Sequence, residues 1–163
     1  MSKTNNQEKI KKSWKIFVFF YILVIIKLII FKYPISILGS IMENWGSESI
    51  RNGVHSANFI PFKTIKMYIR YYGSLNSFEN LFGNILIFIP LGCFLPKALS
   101  RMKNIFWMFL FSGCFIIDIE LFQLVTRFGE FDVDDIILNL LGVLIGFALY
   151  HTIHLCKKRI KKI

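Results

Sequence analysis

Four apolar runs, each about as long as a bilayer is thick, constrain this chain more than any other feature. They cover Trp14–Phe31, Phe78–Leu95, Ile105–Val125 and Ile136–Leu155. A helix needs about 20 mostly apolar residues to cross the hydrocarbon core. A helix also bonds all its backbone groups internally, which is required where no water is present. The sequence therefore predicts an all-α fold, a polytopic membrane bundle of four transmembrane helices.

The composition agrees with a membrane protein and argues against several other classes. The chain is 55% hydrophobic and 18% charged, whereas soluble domains are about 45–50% apolar and about 25% charged. The net charge of +10 comes from basic residues that flank the apolar runs, so it does not indicate a nucleic-acid partner. The three cysteines include no CxxC pair, which disfavours a zinc site. We predict no cofactor and no metal.

The distribution of the basic residues predicts the orientation. Of the 20, five (Lys3, Lys9, Lys11, Lys12 and Lys15) lie before or at the very start of the first run, three lie between the second and third runs, and five follow the fourth. Loops rich in Lys and Arg stay in the cytoplasm. Both termini are therefore expected inside, and segments 32–77 and 126–134 outside. In domain terms, 1–13 is a cytoplasmic basic leader, 14–155 a single transmembrane domain and 156–163 a basic cytoplasmic tail.

The long outer segment is predicted to hold a helix that lies in the membrane interface. Residues 58–72 mix apolar, aromatic and basic side chains at roughly helical spacing, as interfacial helices do. Pro61 suits the start of such a helix. The run Ile35–Met42 is too short to span and is expected to dip into the membrane or lie flat on it.

Polar residues gather at the outer end of the third run. Glu120, Gln123 and Arg127 follow the i, i+3, i+7 spacing of one helix face. Asp118 lies about 200° around the helix from Glu120 at 100° per residue. We therefore expect Asp118 to face away from the other three, either toward the first span or in its protonated form.

The fourth run carries a second polar stripe. Asp135, Asn139, Gly142 and Gly146 lie at i, i+4, i+7 and i+11 on one face. The two glycines, spaced as GxxxG, permit another helix to approach closely. We expect that approach to bring together the polar ends of the third and fourth spans.

The second run adds Asn80 and Asn84 at its outer end, and Asn84 is expected to bond Glu120 or Arg127. The resulting prediction is a cleft that opens to the outside and is lined by Asn84, Glu120, Gln123, Arg127, Asp135 and Asn139.

Simpler interpretations of the same residues stay open. Asp132 suits the N-cap of the fourth helix, with Asp134 and Asp135 favoured by the positive end of its dipole. Glu120 and Arg127 suit a structural ion pair that locks two helices together.

The order and spacing of four blocks are similar to a known pattern, and the chain resembles the VanZ-like family of small bacterial membrane proteins. The resemblance covers roughly residues 51–155. Its blocks are NFIPFKTI from Asn58, NLFGNILIFIPLG from Asn80, IELFQ from Ile119 with Arg127 shortly after, and FDVDDIILNLLGVLIG from Phe131.

The resemblance implies a set of ligand-binding positions and a cellular setting. The namesake is an accessory product of glycopeptide-resistance clusters and is linked to reduced susceptibility to teicoplanin, a lipid-bearing glycopeptide. Antibiotic resistance is therefore a family label for this chain. The family's polar positions fall on Asn58, Asn84, Glu120, Gln123, Arg127, Asp132, Asp135 and Asn139.

Two functional hypotheses follow, and the sequence favours the first. In the first, the outer cleft recognises a cell-envelope amphiphile, either a lipid-linked wall precursor or a lipoglycopeptide. The cations Lys63, Lys66 and Arg70 would then meet phosphates at the lipid surface.

In the second hypothesis the protein is a membrane-embedded enzyme that acts on such an amphiphile. Glu120 and Asp135 would serve as acid and base or hold a divalent cation, and Arg127 would stabilise negative charge. A third alternative is a purely structural cluster that fixes the pairing of the helices.

Overall fold

The computed structural model describes residues 2–30, 35–43, 45–71 and 77–160. Over these residues the chain is helical, with no strand, and this confirms the predicted all-α fold. The seven α-helices of the described residues are α1 (Ser2–Ile30), α2 (Ile35–Glu43), α3 (Ser47–Ser56), α4 (Lys63–Arg70), α5 (Ser77–Ala98), α6 (Ile105–Thr126) and α7 (Val133–Ile160). A short 3-10 helix, Ser100–Lys103, joins α5 to α6.

Three helices within the described residues are long and apolar enough to cross a membrane. They are Glu79–Ala98 on α5, Ile105–Thr126 on α6 and Val133–Ile160 on α7, which identifies the chain as a membrane protein. The fourth predicted span, Trp14–Phe31, lies on α1, and its last residue is outside the described residues. That span stays a prediction, as does the interfacial position of α4.

Helices α5 and α7 form a close parallel pair along a seam of glycines. A Cβ atom added to Gly142 would strike the carbonyl oxygen of Ile85, and one added to Gly146 would strike that of Ile89. The sequence predicted that these glycines would bring the fourth span to the third, and this is wrong. Glycine spacing specifies a helix face that another backbone can approach, but it does not specify which helix approaches.

The other face of α5 packs against α1. The Tyr21 hydroxyl donates to the carbonyl oxygen of Ile87 at 2.7 Å, and the ring of Trp14 stacks on Phe94 at 5.5 Å. Pro90 lies inside α5 and has no N–H for the carbonyl of Leu86, which is next to the carbonyl that Tyr21 bonds. The innermost side chains of the core come from α1, α5, α6 and α7 and include Ile25, Phe88, Leu91, Met108, Ile116 and Val143.

Helices α3 and α4 cover one end of the bundle. Helix α3 lies against α6, because Gly53 leaves room for the carbonyl oxygen of Leu124. Two backbone hydrogen bonds then join Asn58 to the α6–α7 turn, from Asn58 N–H to Phe131 O at 2.8 Å and from Val133 N–H to Asn58 O at 3.0 Å. Helix α4 is thereby held over the ends of α5 and α7. It begins at Lys63, two residues later than Pro61 predicted.

Candidate functional site

Asp134 fixes the start of α4. Its side chain is 0% exposed, and its carboxylate accepts hydrogen bonds from the backbone N–H groups of Phe62 at 2.5 Å, Thr64 at 2.7 Å and Ile65 at 3.0 Å. Phe62 has a φ of 65°, in the left-handed region that L-residues rarely adopt. The carboxylate holds this strained turn in place, since strain persists only where surrounding contacts determine it. The sequence predicted only that the dipole of the fourth helix would favour a negative charge at Asp134.

Asp132 joins the same arrangement from the other side. Its Oδ1 accepts from the backbone N–H of Asp134 at 2.8 Å, which is the N-cap bond to α7 that the sequence offered as an alternative. The same oxygen accepts from Asn58 Nδ2 at 2.8 Å, and Oδ2 accepts from the Thr64 hydroxyl at 2.5 Å. We refer to Asn58, Thr64, Asp132 and Asp134 as the latch, because together they fasten α4 to α7.

Glu120 and Gln123 tie the end of α6 to this region. Glu120 is 1% exposed, and its Oε2 accepts from the backbone N–H of Asp132 at 3.1 Å. Gln123 Nε2 donates to the carbonyl oxygen of Ile29 at 3.4 Å. Gly129 packs so closely on the Gln123 side chain that an added Cβ would lie 2.6 Å from it. Both side chains are buried beneath the α6–α7 turn.

Arg127 does not share the helix face of Glu120 and Gln123, contrary to the prediction. Helix α6 ends at Thr126, and Arg127 follows as its C-cap with a φ of 63°, so helical spacing no longer gives its direction. Its guanidinium donates to the Ser56 hydroxyl at 3.2 Å, against α3. Asp118 is exposed on α6 while Glu120 is buried, so the two face different ways, as predicted.

A second polar group lies at the end of the glycine seam. Asn84 Nδ2 donates to Asp135 Oδ1 at 2.6 Å, so the predicted bond of Asn84 to Glu120 or Arg127 is replaced by one to α7. Asn139 lies one turn further along α7 and is 2% exposed. No donor among the described residues reaches its Oδ1, and a buried amide oxygen without a donor is costly.

Tyr68 brings a phenol from α4 to these carboxylates, and sequence reasoning missed it. Burial raises its pKa above the ordinary value of 10.0, and the negative charges of Asp135, Asp132 and Glu130 raise it further. The phenol therefore stays protonated at neutral pH and remains a hydrogen-bond donor. Its spacing of i+4 from Thr64 was the available signal, since both are on the half-buried side of α4. We refer to Tyr68, Asn84, Asp135 and Asn139 as the seam cluster.

The outward side of α4 carries the basic residues. A hollow of about 800 Å³ there is lined by cations and apolar groups together: Lys63, Lys66, Met67, Ile69, Arg70 and Tyr71. It is flanked by exposed Phe59, Ile60 and Phe62. Within the described residues, no group of three or more His, Cys, Asp or Glu side chains could hold a metal ion.

The residues of the latch and of the seam cluster all lie in a region that matches a known family. A family model described as VanZ/LLP1 matches residues 17–155. The chain belongs to the VanZ/LLP1 family. The matched region contains every residue of the latch, of the seam cluster and of α6. No curated protein matches the chain, and no solved structure matches it.

In this VanZ/LLP1 chain, the eight predicted ligand-binding positions divide into three groups. Asn58 and Asp132 belong to the latch, and Asn84, Asp135 and Asn139 to the seam cluster. The remaining three bond other elements: Glu120 the α6–α7 turn, Gln123 the backbone of α1, and Arg127 the end of α3. The residues that the sequence gathered into one cleft thus have distinct structural surroundings.

Proposed function

We propose that this VanZ/LLP1 protein crosses the bacterial cell membrane four times, with both termini in the cytoplasm, and recognises a cell-envelope amphiphile at its outer face. The three apolar helices and the family support the membrane setting. The basic residues in the first half of α1, around the connection from α5 to α6, and at the end of α7 support the orientation, because such segments stay inside. The latch and the seam cluster then face outward.

The hollow on α4 supports an amphiphile as the ligand class. Lys63, Lys66 and Arg70 line it without any acidic residue, and Met67 and Ile69 supply apolar surface in the same place. Cations at a membrane surface attract phosphate and carboxylate head groups, while an alkyl tail gains free energy from the apolar side chains. A lipid-linked wall precursor and a lipoglycopeptide such as teicoplanin both have this chemistry.

The seam cluster supplies the selective contacts in this proposal. Asn139 Oδ1 is buried without a donor, and this is the observation that carries the proposal, because a hydroxyl or amide of the ligand would satisfy it. Tyr68 adds a protonated phenol close to Asp135, and Asp135 accepts from Asn84. The latch is a weaker candidate, because its carboxylates already accept bonds that position α4.

The test compares wild-type protein with Asp135→Asn, reconstituted in nanodiscs, for saturable binding of a lipid-linked wall precursor and of teicoplanin. We expect roughly tenfold or greater loss of affinity, since a hydrogen bond to a charged group is worth about 1.5–3 kcal/mol. Glu130→Gln is the matched control, because it removes one charge from an exposed residue near the site. Equal binding by Asp135→Asn, or no saturable binding by the wild type, contradicts the proposal.

A second arm tests the orientation and the enzymatic alternative. A cysteine placed at Glu130 in a variant without the three native cysteines should react with a membrane-impermeant thiol reagent in intact cells. Protection until the cells are lysed would place the site inside. Turnover of a bound amphiphile by the wild type, lost in both Glu120→Gln and Asp135→Asn while binding persists, would favour an enzyme that uses these two carboxylates.

A further inference from the structure

A second cavity lies at the opposite end of the α5–α7 pair from the seam cluster. It encloses about 300 Å³, within the range of small-molecule sites. Its polar lining comes from Lys97 on α5 and from Tyr150, His154 and Lys157 on α7. Lys97 lies thirteen positions after Asn84 on α5, which is a rise of about 20 Å along the helix at 1.5 Å per residue. The two sites therefore lie near opposite ends of the same helix pair.

The cavity opens where the glycine seam stops. Gly142 and Gly146 allow the backbones of α5 and α7 to touch, and the same four-residue step then reaches Tyr150 and His154. The rings of Tyr150 and His154 are stacked, with centroids 6.0 Å apart and planes inclined by 10°. Side chains of this size keep the helices apart where the glycines let them meet, and the resulting space becomes the cavity.

The lining is cationic and holds no carboxylate. Lys97 Nζ lies 4.4 Å from the centroid of the Trp14 ring and 5.0 Å from that of Phe94, so aromatic faces orient its charge. Among the described residues, no carboxylate forms an ion pair with Lys97 or Lys157, so neither lysine of the cavity is neutralised. Two ammonium groups, an imidazole and a phenol thus converge without an acidic partner.

We infer that this cavity binds the phosphate of an anionic phospholipid. Lysine ammonium groups are strongly attracted to phosphate, and basic residues between helices at a membrane boundary are typical lipid head-group sites. Phe94 and Ile153 in the lining supply apolar surface where the acyl chains would begin. A free phosphate ion shares the head-group chemistry but lacks the acyl chains, and the experiment separates the two. The inference is independent of the function proposed above.

The experiment measures lipid retention by native mass spectrometry of the purified full chain in detergent. Phosphatidylglycerol and phosphatidylcholine are each titrated against the wild type and the double variant Lys97→Ala/Lys157→Ala. Each lysine contributes about a fivefold preference for anionic lipid, so we expect roughly 25-fold weaker retention of phosphatidylglycerol by the double variant. Retention of phosphatidylcholine should be weak in both proteins.

Matched variants keep the test decisive. Lys158→Ala removes a charge from the next residue of α7, which does not line the cavity, and should retain the lipid like the wild type. Lys97→Arg/Lys157→Arg preserves both charges and should retain most of the lipid, which keeps the inference testable even where the double alanine variant misfolds. Equal retention by the double alanine variant overturns the inference. Displacement of the lipid by millimolar inorganic phosphate would assign the site to the free anion and also overturn it.

Discussion

The latch and the seam cluster use the same residue types in different ways. In the latch, both oxygens of Asp132 and both oxygens of Asp134 accept hydrogen bonds from the chain itself. In the seam cluster, Asn139 is just as buried, yet its Oδ1 has no donor among the described residues. The comparison separates polar groups whose hydrogen bonds hold the fold from a buried acceptor that no described donor reaches.

The source of the donors explains the difference. The latch carboxylates meet backbone N–H groups at the starts of α4 and α7, where a helix leaves its first N–H groups without internal partners. Asn84 and Asn139 of the seam cluster lie inside α5 and α7, where the backbone N–H groups are already used within the helices. Within the seam cluster the side chains bond one another, as Asn84 bonds Asp135.

The largest effect is expected at the latch, from Asp134→Ala. The change removes the acceptor of three backbone N–H groups and leaves the left-handed turn at Phe62 unsupported. We expect the free energy of unfolding to fall by about 3 kcal/mol or more, measured by thermal unfolding in detergent. Glu130→Ala, an exposed acid of the same turn, should leave the unfolding temperature unchanged. Similar unfolding of both variants would contradict the structural role of the latch.

A smaller effect is expected from Gly146→Ala, which tests whether the seam positions the cluster at its end. The added methyl group would strike the carbonyl oxygen of Ile89, and we expect a loss of about 1–3 kcal/mol together with weaker ligand binding. Gly113→Ala is the matched control, since nothing lies within 4 Å of a Cβ at that position of α6. It should be neutral or stabilising by up to about 1 kcal/mol. A loss in the control equal to that in Gly146→Ala would rule out the seam as the cause.

The smallest effect is expected from Tyr68→Phe, which removes one donor from the seam cluster. Unfolding should change by less than about 1 kcal/mol, while affinity for the amphiphile falls several-fold. The pKa of Tyr68 is raised in the fold, so the stabilisation from its neutral phenol is fully present below pH 10 and is lost as the pH rises beyond it. Unfolding measured from pH 7 to 11 should show this loss in the wild type and a smaller one in Tyr68→Phe. Identical profiles would exclude Tyr68 from the cluster.

The sequence by itself predicted the helices, the membrane setting, the family and several local roles. The apolar runs predict α5, α6 and α7, because a chain in lipid must satisfy its backbone internally. Asp132 was recognisable as a possible N-cap from its place before the fourth run, and the stripe of Asp135, Asn139, Gly142 and Gly146 on one face of α7 follows from helical period alone.

The tertiary structure decided which groups meet. Helical spacing fixes the face of a residue, but not the helix opposite that face, so the glycines meet α5 rather than α6 and Asn84 meets Asp135. Helical spacing also stops predicting the direction of a side chain beyond the end of the helix. Arg127 follows the last residue of α6, and its side chain contacts α3. Asp134 and Tyr68 acquire their partners only when α4 folds over the bundle, and contacts between segments distant in sequence leave no periodic signal in the chain.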